Sequence, residues 1–229
     1  MYRLHIGNKN YSSWSLRPWV LMTELSIPFE EQMNPLDSGS NWEKFRQFSP
    51  NGLVPCLEQA TESNNMIVWD SLAIIEYLAE LEDDVWPRSK EARAWARSAT
   101  AEMHSGFSSL RNQWAMNCGL RIKPHEISPA LQKELNRIEE LWSEGLSRFG
   151  GPFLGGDNFT AVDAFYAPVI FRLRTFGYTM PKIVADYYEL MLSLDSMQRW
   201  DADAVQETWR EQGHEKEALD TGEVLKDFR

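Results

Sequence analysis

The chain has 229 residues, 43% hydrophobic and 12% aromatic against 25% charged, enough apolar material for a sizeable core in one large domain or two small ones. Its formal charge of −11 argues against nucleic acid or an anionic membrane as partner, because both call for cations that release counterions. Two cysteines, Cys56 and Cys118, make neither a disulfide framework nor a zinc site, and with no apolar run of ~18 residues and no basic-then-apolar leader the expected address is the cytoplasm.

In chain order, Tyr2 to Ile6 alternates as a strand, and Val20, Leu21 and Leu25 predict a helix that Pro28 ends. Phe29 to Met33 is a second strand, Trp42 to Phe48 a brief helix, and Ser49-Pro50-Asn51-Gly52 a turn. Leu53 to Glu58 and Met66 to Trp69 read as two further strands joined by a polar hairpin loop, Gln59 to Asn65. Asp70-Ser71 then opens a helix over 72–81, with Leu72, Ile75, Tyr77, Leu78 and Leu81 on its buried face. Beyond the charged, proline-broken link at 82–88, only helical periodicity is expected, over 90–118, 128–148, 160–175, 183–194 and 196–209, followed by a polar, solvated tail from Gln212. Residues 1–84 carry 5 Lys/Arg against 13 Asp/Glu, so any anion bound there needs specific donors such as helix N-termini or Lys9, Arg17, Lys44 and Arg46.

Three stretches of the first half carry candidate chemistry. Ser12, Ser13 and Ser15 crowd the passage from strand to helix. Serine is a favoured N-cap and Pro18 suits a first helical turn, so all three fit turn-and-cap duty, with Ser15 as the cap if the helix starts at Leu16. A hydroxyl beside the positive end of a helix can also donate to an anion such as a thiolate. Pro55 enters a strand either as an ordinary trans residue or through a cis bond that frees the preceding backbone to bind an extended peptide; Cys56 beyond it reads as core. Asp70 or Ser71 caps the next helix, and the pair can also hold both ends of an amino acid, the carboxylate taking the ammonium and the hydroxyl donating to the carboxylate.

In this order and spacing, Tyr11-Ser12-Ser13-Trp14-Ser15-Leu16-Arg17, Asn51-Gly52-Leu53-Val54-Pro55 and Asp70-Ser71, together with the capping box of Phe159-Thr160-Ala161-Val162-Asp163, resemble the glutathione transferase superfamily over nearly the whole chain, and within it the serine-type, zeta-like classes. The resemblance implies a thioredoxin-like α/β domain at residues 1–82 and an all-α C-terminal helical domain at 90–211, with 212–229 as the polar tail. It implies Ser12 as the thiol-activating hydroxyl, with Ser13 as alternative. Val54 and the cis-proline Pro55 would hold the cysteinyl part of glutathione, Asp70 and Ser71 its γ-glutamyl end, and Asn41 and Lys44 its glycyl carboxylate. The second substrate, a small hydrophobic electrophile, would lie between the domains against Trp14, Met103, His104, Phe107 and Arg111, although Met103, Phe107 and Trp114 read equally well as core. Glutathione is then co-substrate, no metal is needed, and a homodimer is expected. Conjugation is the leading activity. Its rivals are a maleylacetoacetate isomerase-like reaction, a peroxidase or thiol transferase, and a non-catalytic glutathione-binding module. Zeta-type isomerases carry an arginine directly before the Phe that ends the central helix; Thr175 stands there in this chain, with Arg174 one step earlier.

Overall fold

The computed structural model describes residues 1–37, 39–60 and 65–229; the tip of the expected hairpin loop, 61–64, lies outside them. The first half runs β1 (Tyr2–Ile6), α1 (Ser13–Glu24), β2 (Phe29–Met33), α2 (Trp42–Phe45), β3 (Cys56–Ala60), β4 (Asn65–Trp69) and α3 (Ser71–Ala79). The strands form one sheet in the order β2-β1-β3-β4. Parallel pairing of β1 with β2 sets Tyr2 opposite Phe29, and antiparallel pairing of β1 with β3 sets His5 opposite Cys56. A crossover helix is what a parallel neighbour requires, and α1 supplies it.

The second half is built of α4 (Lys90–Ser105), α5 (Ser108–Gln113), β5 (Leu120–Pro124), α6 (Pro129–Phe149), α7 (Ala161–Thr175), α8 (Lys182–Ser193), α9 (Asp195–Gln206), α10 (Gln212–Thr221) and β6 (Gly222–Asp227). Every residue of α7 except Arg174 is buried, as befits a helix apolar on all sides. It packs against both α1 and α4, so the two halves share one core. Its start is held by the reciprocal capping box of Thr160 and Asp163.

Four sequence expectations are corrected here. The helix predicted over 90–118 breaks at Gly106, where Phe107 takes a left-handed backbone (φ 55°) and α5 starts afresh. The strand expected from Leu53 begins at Cys56 instead, after a Val54–Pro55 bond that is cis. The helical half carries an antiparallel pair, β5 with β6, where only helices were expected. The solvated tail is α10 and β6, which lie on the body of the protein: Arg229 rests on Gly119, where an added Cβ would come within 2.1 Å of its Cγ.

Candidate functional site

α1 begins at Ser13 with Ser12 as N-cap residue, three residues earlier than a cap at Ser15 requires. Pro18 therefore sits inside the helix, and the Trp14 carbonyl loses the N–H it would have bonded. Ser15 turns inward: its Oγ accepts from Gly7 N at 3.1 Å and from Ser12 Oγ at 2.7 Å. The two candidate hydroxyls diverge. Ser12 is half-buried, and a Cβ built on Gly7 would meet both Ser12 Oγ and Val54 Cγ2 at 3.3 Å, so Ser12 borders the cis-proline loop. Ser13 is buried and its Oγ accepts from Arg172 Nη2 at 3.2 Å.

Beside them lies a cleft of about 250 Å³ lined by Trp14, Asn51, Leu53, Val54, Pro55, Asp70 and Ser71. Asp70 is the N-cap of α3, accepting from Leu72 N at 2.8 Å with a left-handed backbone (φ 73°), a conformation that costs a non-glycine residue about 1–3 kcal/mol and marks functional sites. Ser71 is fully buried and accepts from Arg17 Nη1 at 3.3 Å. The cleft thus gathers Trp14, Val54, Pro55, Asp70 and Ser71, with Ser12 at its border. It does not gather Asn41 and Lys44, which are turned to Asp37: Asn41 bonds its backbone, and Lys44 Nζ lies 3.0 Å from its carboxylate and 2.7 Å from Pro35 O.

Of the expected second-substrate residues, Met103 and Phe107 are buried in the core. His104 and Arg111 instead surround Trp14: the His104 ring meets it edge-on at 5.2 Å, and the Arg111 guanidinium lies 5.6 Å from its centroid. His104 Nε2 stands 3.5 Å from Asp70 Oδ1. Burial lowers the His104 pKa, against the pull of Asp70, so the ring is neutral at neutral pH. Trp114 stacks on Phe176 at 5.0 Å.

Two buried arginines complete the site. Arg17, 1% exposed, lies between the Trp14 ring at 4.1 Å and the Phe165 ring at 4.6 Å. Its pKa is pushed down to about 9 by burial and then by the Arg111 and Arg172 cations. Arg172 comes down to about 10 for the same first reason, with Arg111 next; its Nη1 donates to the Trp114 carbonyl. Arg172 is not among the residues expected at the site. Its one signal is a charge set in an otherwise apolar run, Ile170-Phe171-Arg172-Leu173, because a buried charge needs a purpose. Arg174, two residues on, is committed to Asp201. Among the described residues no group of three His, Cys, Asp or Glu is placed to hold a metal, and no helix is long and apolar enough to cross a membrane.

Comparison with known proteins returns consistent relatives. Residues 11–81 match the family model of the glutathione S-transferase N-terminal domain, and residues 93–213 that of the C-terminal domain. Glutathione S-transferase GstB of Escherichia coli (strain K12) is 30% identical over 189 residues, spanning 76% of this chain and 85% of that protein. A probable maleylacetoacetate isomerase of Caenorhabditis elegans is 27% identical over 173 residues, spanning 72% of this chain and 77% of its own. Among solved structures, a glutathione transferase homolog from Burkholderia gl BGR1 with bound glutathione shares the fold with a TM-score of 0.63 at 23% identity, over 89% of this chain and 97% of that one. The theta class glutathione S-transferase of Xanthomonas axonopodis pv. citri, also with glutathione bound, does so at 0.63 and 20%, over 86% and 95%.

Proposed function

The chain belongs to the glutathione S-transferase family of enzymes, and from that premise we propose that it ionises the glutathione thiol against the Ser12 hydroxyl and joins the thiolate to a small electrophile. The observation that carries this reading is the position of Ser12, half-buried at the N-terminus of α1 and across Gly7 from Val54. A free thiol has a pKa of ~8.5, and lowering it by ~2 units stabilises the anion by ~2.7 kcal/mol. One hydroxyl donor and a helix N-terminus are groups of the right kind to supply that. Ser12 spends its proton on Ser15, which also accepts from Gly7 N; rotating the hydroxyl toward sulfur leaves Ser15 still bonded.

In this reading Val54 pairs its backbone with the cysteinyl residue, and Asp70 and Ser71 take the γ-glutamyl ammonium and carboxylate. The glycyl carboxylate takes Lys44 in exchange for Asp37, with Asn41 beside it. Trp14 closes the cleft toward the second substrate. Conjugation is preferred over cis–trans isomerisation because Thr175 is buried and bonded to the Asn117 and Phe171 carbonyls while Arg174 is spent on Asp201. The exposed apolar side chains Met66 and Trp69 on the outer strand β4 support pairing into a homodimer. The two unbridged buried cysteines suit the reducing cytoplasm.

Ser12→Ala is expected to cut kcat with an aryl halide by roughly tenfold to a hundredfold, to leave the KM for glutathione nearly unchanged, and to move the thiol limb of the pH–rate profile upward. An unchanged rate and limb would overturn the assignment. Parallel assays with a hydroperoxide and with maleylacetone separate the peroxidase and isomerase rivals.

A further inference from the structure

Three guanidiniums gather behind and beside Trp14 in a chain whose net charge is −11. The Arg17 guanidinium lies 4.1 Å and the Arg111 guanidinium 5.6 Å from the centroid of the same Trp14 ring, and Arg172 donates to Ser13. Among the described residues none of the three has a carboxylate oxygen within 4.0 Å. Two of the acids nearby are committed elsewhere: Asp70 caps α3 and faces His104, and Glu134 accepts the Ser109 and Leu110 N–H groups; Glu217 acts on Arg172 only through its field. Arg17 Nε and His104 Nδ1 are buried without a partner. Unpaired buried cations are costly, and stacking on Trp14 and Phe165 offsets only part of that cost. Arg111 is half-buried, and so still reachable from solvent, beside Trp14, whose ring lines the cleft.

We infer that the electrophile joined to glutathione carries a carboxylate, which Arg111 receives beside Trp14 while Arg17 and Arg172 supply the field behind it. This rests on the glutathione-transfer reading. It departs from a purely apolar acceptor pocket, and it gives the positive cluster a ligand. With a chloronitrobenzoate as acceptor, sulfur adds to the ring carbon that bears chlorine; the carbon–sulfur bond forms, the carbon–chlorine bond breaks and chloride leaves with the bonding pair. The thiol proton goes to solvent and nothing is oxidised.

The test compares that acid with the matching chloronitrobenzamide, which keeps the leaving group and loses the charge. The expected kcat/KM ratio of acid to amide is about tenfold or more in the native protein, falls to near one in Arg111→Leu, and recovers in part in Arg111→Lys. Calorimetry with unreactive nitrobenzoate, on the free protein and on protein saturated with S-methylglutathione, reads the same site without turnover, nitrobenzamide being the control; Arg111→Leu is expected to abolish the acid's advantage. Equal handling of acid and amide, or a preference that survives Arg111→Leu, or a fall of both substrates in parallel, overturns the inference. A protein that takes up neither glutathione nor S-methylglutathione refutes the transfer reading instead, and nitrobenzoate uptake by the free protein then decides the carboxylate site alone.

Discussion

Ser12 and Ser13 differ by one position and by almost everything that matters. Successive residues at a helix start point about 100° apart, so one hydroxyl borders the cleft and the other faces the interior, where Arg172 donates to it. Ser13→Ala removes an acceptor from a buried guanidinium, and the expected cost is about 1–3 kcal/mol of stability by urea unfolding, with a smaller loss of kcat than Ser12→Ala gives. That distinction was not legible locally. Two adjacent serines read alike, and the partner that separates them lies 159 residues away in sequence. Asp70 and Ser71 were more legible, because a helix start needs a cap and the cap residue types are few. Lys44 was picked out as the nearest available cation, and its hold on Asp37 could not be read from its charge alone.

At the scale of elements, the capping box of α7 bears the most. Asp163 is fully buried, accepts from Leu154 N at 2.9 Å and Thr160 N at 3.0 Å, and takes the Tyr187 hydroxyl at 3.2 Å. Burial pushes its carboxyl up to about 6, and the hydrogen bonds pull the other way without cancelling it. The folded value lies above the ordinary 3.8, so the native chain holds the proton more tightly than the unfolded one. This group's contribution is therefore full in acid and declines as pH rises toward 6. Asp163→Ala should cost about 2–3 kcal/mol at pH 7, where four donors, the Thr160 hydroxyl included, lose their acceptor, and should flatten the stability slope between pH 4 and 6 in urea titrations. The box was plain in the sequence, as were the start of α4 and the whole of α6, whose apolar stripes need no distant partner to be recognised. β5 was overlooked although Leu120-Arg121-Ile122-Lys123-Pro124 alternates with period two; a five-residue alternation amid long helical patterns is outweighed by its surroundings.

In the whole molecule, the polarity of residues 212–229 hid their role. Several of their charged side chains are engaged: Arg229 pairs with Glu215 and Asp227, and the Tyr11 hydroxyl donates to Glu215. Deleting 212–229 strips Arg229 from Gly119 and β6 from β5, so Cys118, fully buried and with its thiol pushed well up by burial, should become reactive toward an aromatic disulfide reagent that leaves the intact protein untouched. The melting temperature should fall by about 2–4 °C for each kcal/mol lost. The two halves are fastened in the same long-range manner. The loop ahead of α1 gives the Lys9 and Asn10 N–H groups to Glu207 at 2.6 and 3.2 Å, the Lys9 ammonium to Asp203 at 2.6 Å and Glu31 at 2.9 Å, and the Lys9 carbonyl to Trp200 Nε1 at 2.9 Å. A chain emerges from the ribosome amino end first, so the serine-bearing loop is made long before the residues that fasten it. During synthesis the nascent polypeptide can fold its early sheet but not fasten the loop ahead of α1, and that corner closes only once position 207 has cleared the exit tunnel.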